Sequence, residues 1–359
     1  MVQLSAVINE LVEEGGVDRV VLGSIISEGL LAAYEKKFPD LPLRARYEKK
    51  IDEIVIEVQK KVVSSVTNDD LEISVRKARG INPSAQAEDA LWVPFDGKIG
   101  RIEILRAKQV IASKIRKIEA TTIYNEFKPK EGSIVHGVIH KAEHGGTVVK
   151  VQEALAFLPR SLSIPGEKFI VGYPVRALLK EVLPEPRNDN QLILDRSSQD
   201  FLRRLFELEI PEVFEKLVEI KNIVRIPGYK AKVVVVSNDK NIDPVGTCVG
   251  VGGIRIKPIL KELGGEKIDV IAWTDDKQEL IKNALKPAKI DRVILVDGEN
   301  VHVWLDEDER SLAIGKMGQN IALASRLGGV KIHLIQDGHA SNGSGTKEEV
   351  GGSKDDAFK

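Results

Sequence analysis

The pattern Gly250-Val251-Gly252-Gly253 recurs as Gly315-Lys316-Met317-Gly318, a spacing of 65 between residues 250 and 315. Downstream, Leu263-Gly264-Gly265 recurs as Leu327-Gly328-Gly329, 64 residues on, and each is followed by a short strand pattern, at 268–273 and 331–336. Two strand patterns precede each glycine loop: 219–226 and 231–237, then 292–296 and 301–305. Two copies rarely drift into one pattern by chance, so a unit of helix, strand, strand, helix, loop, helix and strand is expected twice in tandem. No other feature restricts the fold as tightly.

A Gly-x-x-Gly loop between two helices lets the backbone turn sharply and approach a phosphate without a Cβ in the way. The helix behind it aims its free N–H groups and positive dipole end at that phosphate. KH domains hold about four nucleotides of single-stranded RNA in this manner. The helices behind the loops are amphipathic, with buried stripes at Ile256, Ile259, Leu260 and Leu263, and at Ile321, Ala324 and Leu327. The candidate RNA contacts are Gly250, Val251, Gly252 and Gly253, with Arg255 and Lys257 one turn on, and Gly315, Lys316, Met317 and Gly318, with Gln319 and Asn320. Only the second loop carries its own cation, and Gln319-Asn320 offers base-edge hydrogen bonds. The first loop is expected to contribute backbone contacts and the second more electrostatic affinity.

Upstream of the repeat, strand patterns at 133–140, 147–151, 154–158, 175–182 and 191–195 are separated by Gly-, Pro- and Asn-rich turns. Five short strands in about 65 residues match an OB barrel, whose open face commonly carries single-stranded nucleic acid. Before it, a helix over 17–37 with Asp18 as N-cap and Phe38-Pro39 as its stop precedes strands at 43–47, 54–63 and 71–75. A helix over 101–126 and a linker at 128–132 close this first, α+β part. The expected organisation is thus a multidomain α+β chain. An N-terminal domain spans 1–130, the barrel 131–199, two type II KH domains 200–276 and 277–340, and a disordered tail 341–359.

Charge sets a limit on the chemistry. There are 53 basic and 54 acidic residues, so affinity for nucleic acid must come from locally placed groups and not from bulk charge. The single cysteine, Cys248, reads as a small core residue and excludes an internal disulfide. No signal peptide or apolar span stands out, which implies a cytoplasmic, membrane-free chain, expected to be monomeric. His136, His140 and His144 fall in a strand and turn and are not expected to bind metal; the acidic run at 306–309 reads as a helix start. Trp273 and Trp304 read as packing residues. No catalytic constellation or cofactor motif is present.

Residues 243–250 (Asp-Pro-Val-Gly-Thr-Cys-Val-Gly), continuing through Leu263-Gly264-Gly265-Glu266-Lys267-Ile268-Asp269, closely resemble the first KH domain of the NusA family of bacterial transcription factors. Ala313-Ile314-Gly315-Lys316-Met317-Gly318-Gln319-Asn320 with Leu323-Ala324-Ser325 resembles the second. Phe157-Leu158-Pro159-Arg160-Ser161 and Leu192-Ile193-Leu194-Asp195-Arg196-Ser197 resemble the family's S1 barrel, and Ala107-Lys108-Gln109-Val110-Ile111 the helix that closes its N-terminal domain. The resemblance covers about residues 1–338 in the family's domain order. It implies a non-catalytic elongation factor whose N-terminal domain docks on RNA polymerase, whose S1-KH-KH array receives nascent single-stranded RNA, and which works with other Nus factors in pausing, termination and antitermination. On the barrel it implies RNA contacts at Phe157, His136 and Arg160, with His140 alongside. Arg101 and Lys108, seven apart on one helical face, become the candidates for polymerase or an RNA hairpin. The chain stops soon after the second KH domain, so the acidic repeats of some members, and autoinhibition by them, are not expected.

Two other classes share these domains. A ribonuclease that uses S1 and KH as substrate grips would need a catalytic unit, and the roughly 130 residues ahead of the barrel show no acidic cluster or nucleophile. A stand-alone RNA chaperone would keep the RNA surface but need no polymerase contact.

Overall fold

The computed structural model describes residues 19–48 and 53–335. The cap read at Asp18, the strand residue at 336 and the tail at 341–359 lie outside them. By compactness the chain divides into two units, residues 1–131 with 181–192, and residues 132–180 with 193–359.

In the first unit, helix α1 (Arg19–Lys37) ends just before Phe38-Pro39, where the ring of proline disfavours continued helix. Its Leu22, Ile25 and Ile26 recur at helical spacing and pack on Ile111 and Ile115. These two lie on a long helix, Arg101–Phe127. Gly29 permits this close approach, since a Cβ there would lie 2.4 Å from Ile111 Cγ1. Strands β1 (Leu43–Glu48), β2 (Glu53–Val63), β3 (Glu72–Ser74) and β4 (Ala90–Pro94) form one sheet around β2, which pairs antiparallel with β1 and β4 and parallel with β3. The strand expected over 71–75 is cut short because Ser74 caps a helix, α2 (Val75–Ile81), accepting from the Lys77 N–H at 3.4 Å. The long helix, α3 (Arg101–Phe127), holds the 181–192 segment, whose Gln191 Nε2 donates to Ala120 O at 2.6 Å.

The barrel strands are β5 (Ile134–Glu143), β6 (Gly146–Val151), β7 (Ala154–Pro159), β8 (Pro174–Arg187) and β9 (Asn190–Asp195), closed in the order β5-β6-β7-β9-β8. Ala154, Ala156 and Leu158 of β7 alternate inward into the barrel core. All five strands fall where the sequence places them, but β8 runs on past 182 to Arg187.

The repeat then folds twice in the α-β-β-α-α-β order of type II KH domains. The first copy comprises α4 (Gln199–Glu209), a short α5 (Pro211–Phe214), β10 (Val218–Ile226), β11 (Lys230–Ser237), α6 (Pro244–Val249), α7 (Lys257–Glu262) and β12 (Lys267–Ala272). The second comprises α8 (Lys277–Ala284), β13 (Arg292–Leu295), β14 (Asn300–Trp304), α9 (Glu307–Ile314), α10 (Gln319–Gly328) and β15 (Lys331–Ile335). In each sheet the middle strand pairs antiparallel with the strand before it and parallel with the last.

The first KH sheet is buried on both faces. Ala231, Val233 and Val235 pack with Phe201, Leu205, Phe206 and Ile259 of their own copy. Val224, Val234 and Ile271 point the other way, into a core built with Leu280, Ile281, Leu323 and Leu327 of the second copy. This is why β11 carries an unbroken apolar run where a one-faced strand would alternate. Burying a side chain of this kind contributes roughly 1.5–3 kcal/mol, so the two KH domains are joined by a substantial shared core. Trp273 departs from the packing role expected of it: it is 40% exposed, past the end of the edge strand β12.

Cys248 is wholly buried in the first KH core, and burial pushes its thiol up to about 12. The thiolate is the reactive form, so a thiol reagent at pH 8 should leave the native chain unlabelled and label it fully in denaturant. Rapid native labelling would show that this core opens.

Candidate nucleic-acid interface

The two glycine loops share one backbone. Gly250 and Gly315 end α6 and α9 at φ 73°, ψ 166° and φ 74°, ψ 175°. The third position is left-handed in both, Gly252 at φ 59°, ψ 21° and Met317 at φ 53°, ψ 29°. The closing Gly253 and Gly318 lie at φ 77° and 71°. Holding methionine there costs roughly 1–2 kcal/mol that glycine avoids. What the conformation achieves is display: Val251 is 95% and Met317 81% exposed, and Lys316 also stands in solvent.

Behind the loops the copies differ. The second is followed by the ten-residue α10, whose first N–H, that of Gln319, donates to Lys316 O; the first is followed by the six-residue α7. A cation nevertheless reaches the first loop. Lys257 is exposed, and its Cε lies 3.9 Å from where a Cβ of Gly253 would stand.

Asn320 corrects the expectation that it reads base edges. It is 3% exposed, its Nδ2 donates to Leu285 O (3.1 Å), Leu312 O (3.3 Å) and Ala313 O (3.3 Å), and its Oδ1 accepts from Lys230 Nζ (3.1 Å). Arg255 holds the same place in the first copy, five residues after the leading glycine. Its Nη1 donates to Thr247 O at 3.1 Å and to Glu212 Oε2 at 2.7 Å, holding the Glu212 carboxyl below its ordinary range. Both side chains reach back to carbonyls at the end of the preceding helix, which have no partner within it. Both brace the loop; Asn320 is too buried to read RNA, whereas the Arg255 side chain stays 39% exposed. The leading glycines follow from this: a Cβ would lie 2.7 Å from Asn320 Cβ on Gly315, and 2.9 Å from Arg255 Cγ on Gly250. Replacing Asn320 by alanine should destabilise the second KH domain by about 1–3 kcal/mol, read from its denaturant midpoint, because buried carbonyls lose their donor. Of the second loop's candidates, Lys316, Met317 and the half-buried Gln319 remain at the surface.

A buried ionic network joins the barrel to the first KH domain. Arg225 forms a two-pronged pair with Glu266 at 2.8 and 2.9 Å, and both side chains are buried. The same guanidinium donates to Arg196 O (2.9 Å) and Ser198 O (2.7 Å), at the exit from the barrel. Arg196 in turn pairs with Glu167 of the barrel part and, at 2.7 Å, with Glu262 at the end of α7. Burial works against its charge, but the two carboxylates hold its pKa above the ordinary value. Between the KH domains, Lys230 links Asp269 (2.8 Å) to Asn320, while the buried Lys232 also meets Asp269 (2.7 Å). Burial lowers the Lys232 pKa against the pull of that carboxylate.

The barrel candidates do not form one cluster. Phe157 lies half-buried beside Val148 on β6, against Gly146, and Arg160 donates its N–H to Gly145 O, so these two share one end of the β6 hairpin. The register sets Lys141 opposite Val148, which brings a cation toward the same edge. His136 is exposed but stands opposite Arg176 across the other strand pair. In the first unit, Arg101 and Lys108 are both exposed on α3, as their spacing predicts. Leu105 is exposed between them on the same face, an apolar residue that the charge pattern alone does not reveal.

Among the described residues no helix is long and apolar enough to cross a membrane. The family model of the NusA N-terminal domain matches residues 3–121, that of the NusA-like first KH domain 196–273, and that of the NusA-like second KH domain 277–342. The transcription termination/antitermination protein NusA of Thermus thermophilus is 38% identical over 283 residues, covering 78% of this chain and 73% of its own. That of Bacillus subtilis is 33% identical over 327 residues, covering 90% and 88%, and that of Rickettsia conorii 33% over 344 residues, covering 94% and 68%. With its N-terminal and both KH domains matched in order, and relatives aligned along most of both lengths, the chain belongs to the NusA family of transcription termination/antitermination proteins.

Proposed function

We propose that this chain is a non-catalytic transcription elongation factor that binds RNA polymerase through residues 1–130 and passes nascent single-stranded RNA across the S1-like barrel and the two KH loops. Other Nus factors are its further partners, and it acts as a monomer. The observation that carries the reading is the pair of matched, solvent-displayed glycine loops, fixed to one another by a shared core. An RNA clamp of this kind acts on transcription only if it sits where RNA emerges, and the N-terminal domain supplies that address. The RNA contacts are Lys316, Met317, Gln319 and the loop backbone in the second KH domain, Val251, Gly252 and Lys257 in the first, and Phe157 and Arg160 on the barrel.

The test is in vitro transcription at a hairpin pause with the full chain. The pause should lengthen. Arg101→Glu with Lys108→Glu should abolish the lengthening while RNA binding in isolation is kept. An RNA chaperone would lose neither property, and unchanged pausing by the double variant would remove polymerase docking from this face. Binding of RNA alone should weaken with salt along a shallow slope, since few phosphates meet a cation; a steep slope in a salt titration would reveal a basic surface beyond the residues named.

A further inference from the structure

The repeat exposes a surface that the loop chemistry does not use. In the first KH domain the sheet face turned away from its own helices is covered by the second copy. Strand registers give the equivalent positions in the second copy. Lys232 pairs with Asp269 as His302 pairs with His333, and Val234 pairs with Ile271 as Trp304 pairs with Ile335. On the neighbouring strand, Asn222 and Val224 correspond to Arg292 and Ile294. Among the described residues nothing covers this second face: Arg292, Ile294 and His333 are exposed, and His302 and Trp304 half-exposed.

The residue changes bring planar groups onto the face, although the Lys232 ammonium is itself replaced by the His302 imidazole. Asp269, the acidic group on the covered face, becomes an imidazole; Asn222 becomes a guanidinium; Val234 becomes an indole. Two aliphatic positions are kept, Val224 as Ile294 and Ile271 as Ile335, but Val234 gives way to the indole. Here the Arg292 guanidinium lies 4.2 Å from the Trp304 ring centroid, and His302 lies edge-on to both Trp304 (5.8 Å) and His333 (5.7 Å). Planar π surfaces beside a cation, here Arg292 over the Trp304 ring, suit unpaired bases on a phosphate chain.

We propose that the open sheet face of the second KH domain, centred on Trp304 with Arg292, His302 and His333, is a second single-stranded RNA surface that stacks bases independently of the glycine loops. It rests on the reading of the chain as an RNA-binding factor and extends the RNA path to the far side of that domain.

The test uses the full chain with Trp92→Phe and Trp273→Phe, which leaves Trp304 as the remaining indole, titrated with a short oligoadenylate. Trp304 fluorescence should be quenched, and quenching should persist when Lys316→Asp and Met317→Asp disable the second loop. Arg292→Glu should weaken the quench titration roughly fivefold or more, and His333→Ala should weaken it in the same direction. Both side chains are exposed, so neither change threatens the core. No quench at saturating oligonucleotide overturns the proposal, as does a quench that vanishes with the loop substitutions or ignores Arg292→Glu. A protein occupant of this face would give the first of these results. Gel-shift affinity of the loop variant, measured in parallel, tests the loop clamp separately, since that reading fails only if total binding is unchanged.

Discussion

Replacing Lys316 and Met317 with aspartate is expected to lower the affinity of the full chain for single-stranded RNA by roughly ten- to a hundredfold. A charge-assisted contact to a phosphate is worth about 1.5–3 kcal/mol, and the substitution removes one while setting two carboxylates at the tip of the loop. The fold should survive. Both side chains stand in solvent, and aspartate tolerates the left-handed conformation at position 317 at least as well as methionine. Fluorescence anisotropy with a labelled oligonucleotide, paired with circular dichroism, separates the two effects. Unchanged affinity with an intact fold would remove the clamp role from the second loop.

The second large effect is on stability. Arg225→Ala should cost about 3–5 kcal/mol, because Glu266 would remain buried as a carboxylate without its partner. Exchanging both residues for apolar ones of similar volume should recover most of the loss, since a buried ion pair contributes little net stability over good packing. The denaturant midpoint reads both outcomes. Hydrogen exchange adds a positional check: protection should fall at 196–198, whose carbonyls Arg225 ties down. A midpoint unmoved by Arg225→Ala would mean that water reaches this joint freely.

Much of this was legible in the chain. The repeat placed both KH domains and their loops, because glycine at left-handed positions and aliphatic periodicity are local demands written locally. The barrel strands were legible for the same reason. Asn320 is not legible as a brace because adjacency to a phosphate-binding loop is the signal for an RNA contact, whereas its partner Leu285 lies 35 residues away; the tie from Arg255 to Glu212, 43 residues away, is hidden in the same way. The ionic joint at Arg196, Arg225 and Glu266 was invisible for the same cause. The 182–187 end of β8 was missed because Pro184 and Pro186 signal a break, though proline is tolerated at the edges of sheets. The open face of the second KH domain became apparent only by comparing registers, since it requires knowing which face the first copy hides.

The sheet of the first KH domain, buried on both sides, has a consequence for how RNA is measured. The shared core holds the two loops at a fixed separation, so if both clamp RNA as proposed, a strand captured by one presents its next nucleotides to the other at a high effective concentration. Affinity should therefore rise steeply once a strand is long enough to span both loops, and level off beyond that length. On the proposed reading, the shared core would make the pair of domains a gauge of how much unpaired transcript is available, a quantity that neither loop registers alone.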